Sequence, residues 1–179
     1  MRKTLGLLCA VAMMLPIGVI TAQPAAAAGG TTCKTNHGTA TFTPPLPPLS
    51  STKTVNTTVN FKGTLSGCSG GGVTGATYHG QYKVANDNCK KTLTYTTKTT
   101  TSPISTSWKP TGTSKGTITL HAIKGSPTKA NVTGVTTTGK FKGLHLTTQF
   151  SFKAARSSDC GSTSLAKVYV TGTKPVVIR

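Results

Sequence analysis

The feature that most constrains this chain is a strict period of two. Across residues 55–65, Val55, Val59, Phe61 and Leu65 are apolar, while Asn56, Thr58, Asn60 and Lys62 between them are polar. In 76–84, Ala76, Tyr78, Tyr82 and Val84 share one parity, and His79, Gln81 and Lys83 hold the other. Ile118, Leu120 and Ala122 alternate with Thr117, Thr119 and His121. Leu144, Leu146, Phe150 and Phe152 alternate with His145, Thr147, Gln149, Ser151 and Lys153. A side-chain period of two belongs to a strand with one face buried and one wet, and such strands pair antiparallel. Threonine is the most frequent residue, and its branched Cβ suits the pleat.

Weaker strand patterns occur in GTATFT, TLTYTTK, PISTSW, ANVTGV, AKVYVTG and the terminal PVVI. Glycine and proline punctuate between them, in SGGG, KPTGTSKG, KGSP and TGKFKG. The expectation is an all-β, single-domain, antiparallel β-sandwich or barrel of about nine or ten strands. TFTPPLPPLS reads as an extended connector or edge segment, with a polyproline ligand as the lesser reading. Val73, Ala76, Tyr78 and Gly80 follow Cys68 at the same offsets as Leu165, Val168, Val170 and Gly172 follow Cys160. This fits either an old duplication or two hairpins of biased composition.

The N-terminus sets the expected compartment. MRK is a positive start, LGLLCAVAMMLPIGVI an apolar run, and AQPAAAAGG a small-residue cleavage region. Residues 1–28 therefore read as a cleaved secretory signal, and 29–179 as the mature domain, with 29–52 an extended proline-containing segment. No second apolar stretch long enough to span a membrane follows. Removing Arg2 and Lys3 leaves 18 of the 20 basic residues against Asp87 and Asp159, a net charge of about +16. A field of that size attracts polyanions. Outside a cell those are anionic envelope polymers, anionic lipid, acidic polysaccharide and free DNA. The competing explanation is solubility alone.

Four cysteines survive cleavage: Cys33, Cys68, Cys89 and Cys160. An even count in a secreted chain reads as two disulfides. Three pairings are possible, and Cys68–Cys89 with Cys33–Cys160 is the favoured one. The SGGG run lets the chain reverse beside Cys68. It lacks the lysine-serine ending of a phosphate-binding loop, and no C-x2-C pair indicates zinc. No cofactor or metal is expected.

Nothing in the sequence marks a catalytic site. The two carboxylates lie in NDNC and SSDC, where aspartate commonly holds a turn. His79, His121 and His145 fall on polar strand faces, and His37 stands apart. No nucleophile elbow occurs. The expectation is a non-catalytic protein, with a hydrolase as a minor alternative. Sequence-specific nucleic-acid binding is not expected, because the aromatics lie on the apolar faces, away from the lysines. Lys62, Lys83, Lys98, Lys109 and Lys153 are candidates for polyanion contact. The alternative is a carrier of a small apolar ligand within a barrel, lined by Tyr78, Tyr82, Tyr95 and Trp108.

In VNFKGTLSGCSGGGVTGATYHGQY, WKPTGTSKGTITL and the C-x4-L-x2-V-x-V-x-G hairpin at the end, the chain resembles small secreted actinobacterial proteins of unknown function. These share a signal peptide, four cysteines and Thr/Gly-rich strands. The resemblance implies an extracytoplasmic, all-β, disulfide-bonded protein and carries over no catalytic residue. The lysine content here departs from that pattern. The leading expectation is thus a secreted or cell-surface protein binding anionic envelope polymer or lipid through its lysines. Polar outer strand faces point to a monomer.

Overall fold

The computed structural model describes residues 29–94 and 99–179. The expected signal segment 1–28, together with Tyr95 and Lys98, lies outside the described residues. Eight strands run in chain order: β1 (Thr31–Leu46), β2 (Val55–Ser69), β3 (Gly75–Asp87), β4 (Thr99–Lys109), β5 (Thr113–Ile123), β6 (Ser126–Gly139), β7 (His145–Ala154) and β8 (Leu165–Ile178). A short helix, α1 (Cys89–Thr94), follows β3. Each strand pairs antiparallel with its sequence neighbours, and β8 returns to β1, closing a barrel. Closure leaves no edge strand open to another chain.

The alternation sets which side chains fill the barrel. Val59, Phe61 and Leu65 on β2, and Ala76, Tyr78, Tyr82 and Val84 on β3, point inward. Ile118 on β5 and Phe150 and Phe152 on β7 do the same. Threonine, lysine, asparagine and glutamine take the outer face, the reverse of the apolar outer band of a membrane barrel. An eight-stranded barrel is just wide enough for such side chains to fill it.

Three expectations are corrected. The strands among the described residues number eight rather than nine or ten, and of the two expected architectures the chain takes the barrel. AKVYVTG and PVVI are one strand, β8, whose pairing with β7 shifts register between Thr147 and Phe150. The start of TLTYTTK is the end of α1. Asn88 caps that helix: its Oδ1 accepts the Lys91 backbone N–H at 2.9 Å, which satisfies a first-turn donor that strand pairing would otherwise take up. Second, the N-terminal segment, expected as an extended connector or edge with only GTATFT as a weak strand, forms β1 over residues 31–46, hydrogen-bonded on both sides, to β2 and to β8. Its two register shifts against β8 absorb the irregular inward row Asn36, Gly38, Ala40.

Third, the disulfides are Cys33–Cys68 and Cys89–Cys160. Cys33 and Cys68 are register partners on β1 and β2, so pairing of these strands brings them together. Cys89 begins α1 and Cys160 lies in the β7–β8 connection, at the other end of the barrel. The favoured alternative would have joined cysteines from opposite ends. The two similar hairpins also sit at opposite ends. They lead into strands five apart, β3 and β8, which run in opposite directions in an up-and-down barrel.

The SGGG turn after Cys68 holds Gly70, Gly71 and Gly72 at φ of 89°, 58° and 64°. L-residues rarely adopt that region, which explains the glycine run. This turn lets Val73 fold back under the barrel, where it joins Leu65, Tyr78, Trp108, Phe141 and Val176 in one core cluster. A second cluster around Leu46, Val59, Leu165 and Val168 surrounds the Cys89–Cys160 bridge at the helix end.

Candidate functional site

Between the two clusters lies a chamber of about 80 Å³. Tyr78, Tyr82 and Trp108, three of the four expected cavity residues, line it with Phe61, Ile104 and Phe150. Phe61 stands between Tyr78 and Tyr82, with ring centroids 6.4 and 6.3 Å away. Every buried polar side chain among the described residues has a partner. The Tyr78 hydroxyl donates to Asn36 Oδ1 at 2.7 Å. Trp108 Nε1–H donates to Ser114 Oγ at 2.8 Å, and Ser114 bonds in turn to the Lys140 carbonyl. Burial pushes the Tyr78 hydroxyl up to about 12, and burial with the nearby Asp87 charge does the same for Tyr82. The lining is mostly aliphatic and aromatic, with Lys62 and Lys115 the charged residues in it, so it offers chiefly shape and apolar surface.

The two carboxylates are used within their own loops. Asp87 is 4% exposed; its Oδ1 accepts the Asn88 backbone N–H and its Oδ2 the Thr92 hydroxyl. Asp159 is 7% exposed and accepts the Arg156 backbone N–H and the Thr163 hydroxyl, with Arg156 Nε 3.4 Å away. The Cys89–Cys160 bridge brings the two loops to one end of the barrel, yet neither aspartate lines the chamber. His37, His79 and His145 are exposed on outer faces, and His121 meets Thr133 there, its Nε2 3.3 Å from Thr133 Oγ1. Among the described residues no group of three or more His, Cys, Asp or Glu is placed to hold a metal ion.

The lysines present the opposite picture. Every strand carries at least one on its outer side: Lys34, Lys62, Lys83, Lys109, Lys115, Lys129, Lys153, and on β8 Lys167 and Lys174. Four of the five expected contact lysines, Lys62, Lys83, Lys109 and Lys153, are exposed. They are spread around the barrel and form no single patch. Pairing places Lys62 opposite His79, beside an outer groove of about 500 Å³ that crosses β1 to β4. Sequence reading missed this groove, because its residues meet only through strand register. The one available signal was the shared outward parity of Asn60, Lys62, His79 and Gln81.

No helix among the described residues is long and apolar enough to cross a membrane. Compared with known protein families, curated proteins and solved structures, the chain matches none.

Proposed function

We propose that this is a secreted, non-catalytic protein that binds anionic polymer or anionic lipid at the cell envelope through its lysine-bearing exterior. One observation carries the reading. Both acidic side chains are buried and engaged in their own loops, while all eight strands turn lysine outward. The exterior is thus basic with no acidic side chain to offset it, and a field of one sign draws and holds polyanions. The resemblance to small secreted actinobacterial proteins and the two disulfides are compatible with an extracellular location.

Exposed charges are screened over about 8 Å at physiological salt. Binding to an anionic polymer or to vesicles containing anionic lipid is therefore expected to fall steeply between 50 and 200 mM salt. Binding that ignores salt, or that is absent at 50 mM, refutes the reading.

A second reading rests on the aromatic chamber: carriage of a small apolar ligand. Size decides its rank. Sites for drug-sized ligands run to about 300–1,000 Å³, against about 80 Å³ here. The interior acts chiefly as a core, and a passenger would have to be compact. Native mass spectrometry of protein from its own culture medium tests this, since a carried ligand adds mass that denaturation removes.

A further inference from the structure

The outer groove across β1–β4 is built from two rows that strand register sets side by side. In the first row, Thr39 pairs with Lys62, Lys62 with His79, and His79 with Ser105. In the second, Thr41 pairs with Asn60 and Asn60 with Gln81. At strand spacings of about 4.8 Å, the first row spans about 14 Å. The side chains of Asn60 and Gln81 are exposed and make no hydrogen bond with one another. Beyond Gly80 and Ile104 the backbone ladder between β3 and β4 stops, and the Ser102 hydroxyl instead donates to the Gln81 carbonyl at 3.1 Å. Pro103 and the edge of Phe61 form an apolar floor there. Phe61 reaches the wall because Gly80 has no side chain; a Cβ there would strike the Phe61 ring and the Pro103 carbonyl.

We infer that this groove binds a linear polyol-phosphate segment, with Lys62 and His79 meeting phosphate, Asn60 and Gln81 meeting hydroxyls, and Phe61 and Pro103 under the carbon chain. The inference rests on the exterior-binding reading and gives it a specific seat. A lysine alone serves any polyanion. A parallel row of amides, each both donor and acceptor, suits a polymer that alternates phosphate with hydroxyl groups. The cavity of about 500 Å³ is also of ligand-site size.

The test is titration of the purified protein with a poly(glycerol phosphate) oligomer at 50 and 150 mM salt. Asn60→Ala/Gln81→Ala changes no charge and is expected to weaken binding by about tenfold at 150 mM salt, on the scale of one or two lost hydrogen bonds. Lys62→Ala is expected to cost more than Lys129→Ala, which removes the same charge from β6 across the barrel. Circular dichroism confirms that each variant is folded, as expected for outward side chains. Wild-type affinity in the double variant, or equal losses for Lys62→Ala and Lys129→Ala, overturns the groove while leaving the exterior reading intact. An equal loss with heparin of matched charge overturns the preference for polyol phosphate. Absence of binding at 50 mM salt overturns the exterior reading itself.

Discussion

Trp108 at the end of β4 and Phe141 in the β6–β7 turn meet edge to face, with ring centroids 4.9 Å apart. The two pack in one cluster with Cys33, at the end of the barrel that holds the Cys33–Cys68 bridge. Phe141 is 2% exposed and holds φ at 64°, a backbone region costly to a bulky residue. Burial of the ring offsets that cost. Phe141→Ala is expected to destabilise the fold by about 3–5 kcal/mol. Denaturant unfolding followed by the fluorescence of Trp108, the one tryptophan in the chain, measures this, and the native emission should shift to the red as the indole gains water.

Stability should decline in alkali. The Tyr78 and Tyr82 hydroxyls titrate at about 12 in the fold, against about 10 when unfolded. Below pH 9 both states keep these protons and nothing changes. Between pH 10 and 12 the unfolded chain releases protons that the folded chain retains, so unfolding gains. Tyr78 alone accounts for about 2–3 kcal/mol of loss by pH 12; Tyr82, half-buried, adds to it in the same direction. Tyr78→Phe should flatten the decline. It should also lower stability at pH 7, because Asn36 Oδ1 loses its donor. Urea midpoints from pH 8 to 12 provide the check.

Peptide mapping without reduction should link Cys33 to Cys68 and Cys89 to Cys160. Replacing either pair by alanine is expected to cost about 2–4 kcal/mol. The bridges close separations of 35 and 71 residues, so loop entropy makes loss of the second worse by about 0.6 kcal/mol. Equal destabilisation by both would mean that packing, not chain entropy, dominates their effect.

Gly80 tests the contact between wall and core. Gly80→Ala should cost about 1–3 kcal/mol, since the added methyl overlaps the Phe61 ring. Phe61→Leu should relieve part of that cost when combined with it. A double-mutant cycle measures the coupling, and additive losses would place the strain at the Pro103 carbonyl instead.

Strands with one clean apolar face were legible in the sequence. The inward residues of β2, β3, β5 and β7 are those the alternation selects. Closure was not legible, because it depends on β1, whose inward row Asn36, Gly38, Ala40 carries little hydrophobic signal and whose tail contains Pro44 and Pro45. Asn36 is buried only because Tyr78, 42 residues away, donates to it. The disulfide pairing was equally hidden: Cys33 and Cys68 are neighbours through register, and register cannot be read before the sheet order is known. The outer lysines were legible one by one. Their distribution over all eight strands, and the sequestering of both aspartates, belong to the closed barrel.

Thr31 pairs with Ile178, so the first and last strands finish side by side. A short peptide joining residue 179 to residue 29 would make the barrel a ring with no natural beginning. New ends could then be cut at the exposed Lys124–Gly125 turn between β5 and β6 without breaking a strand pair. Such a circular permutant should keep both disulfides and the outer groove. What the fold requires of its eight strands is their cyclic sequence, and where the covalent chain starts is incidental.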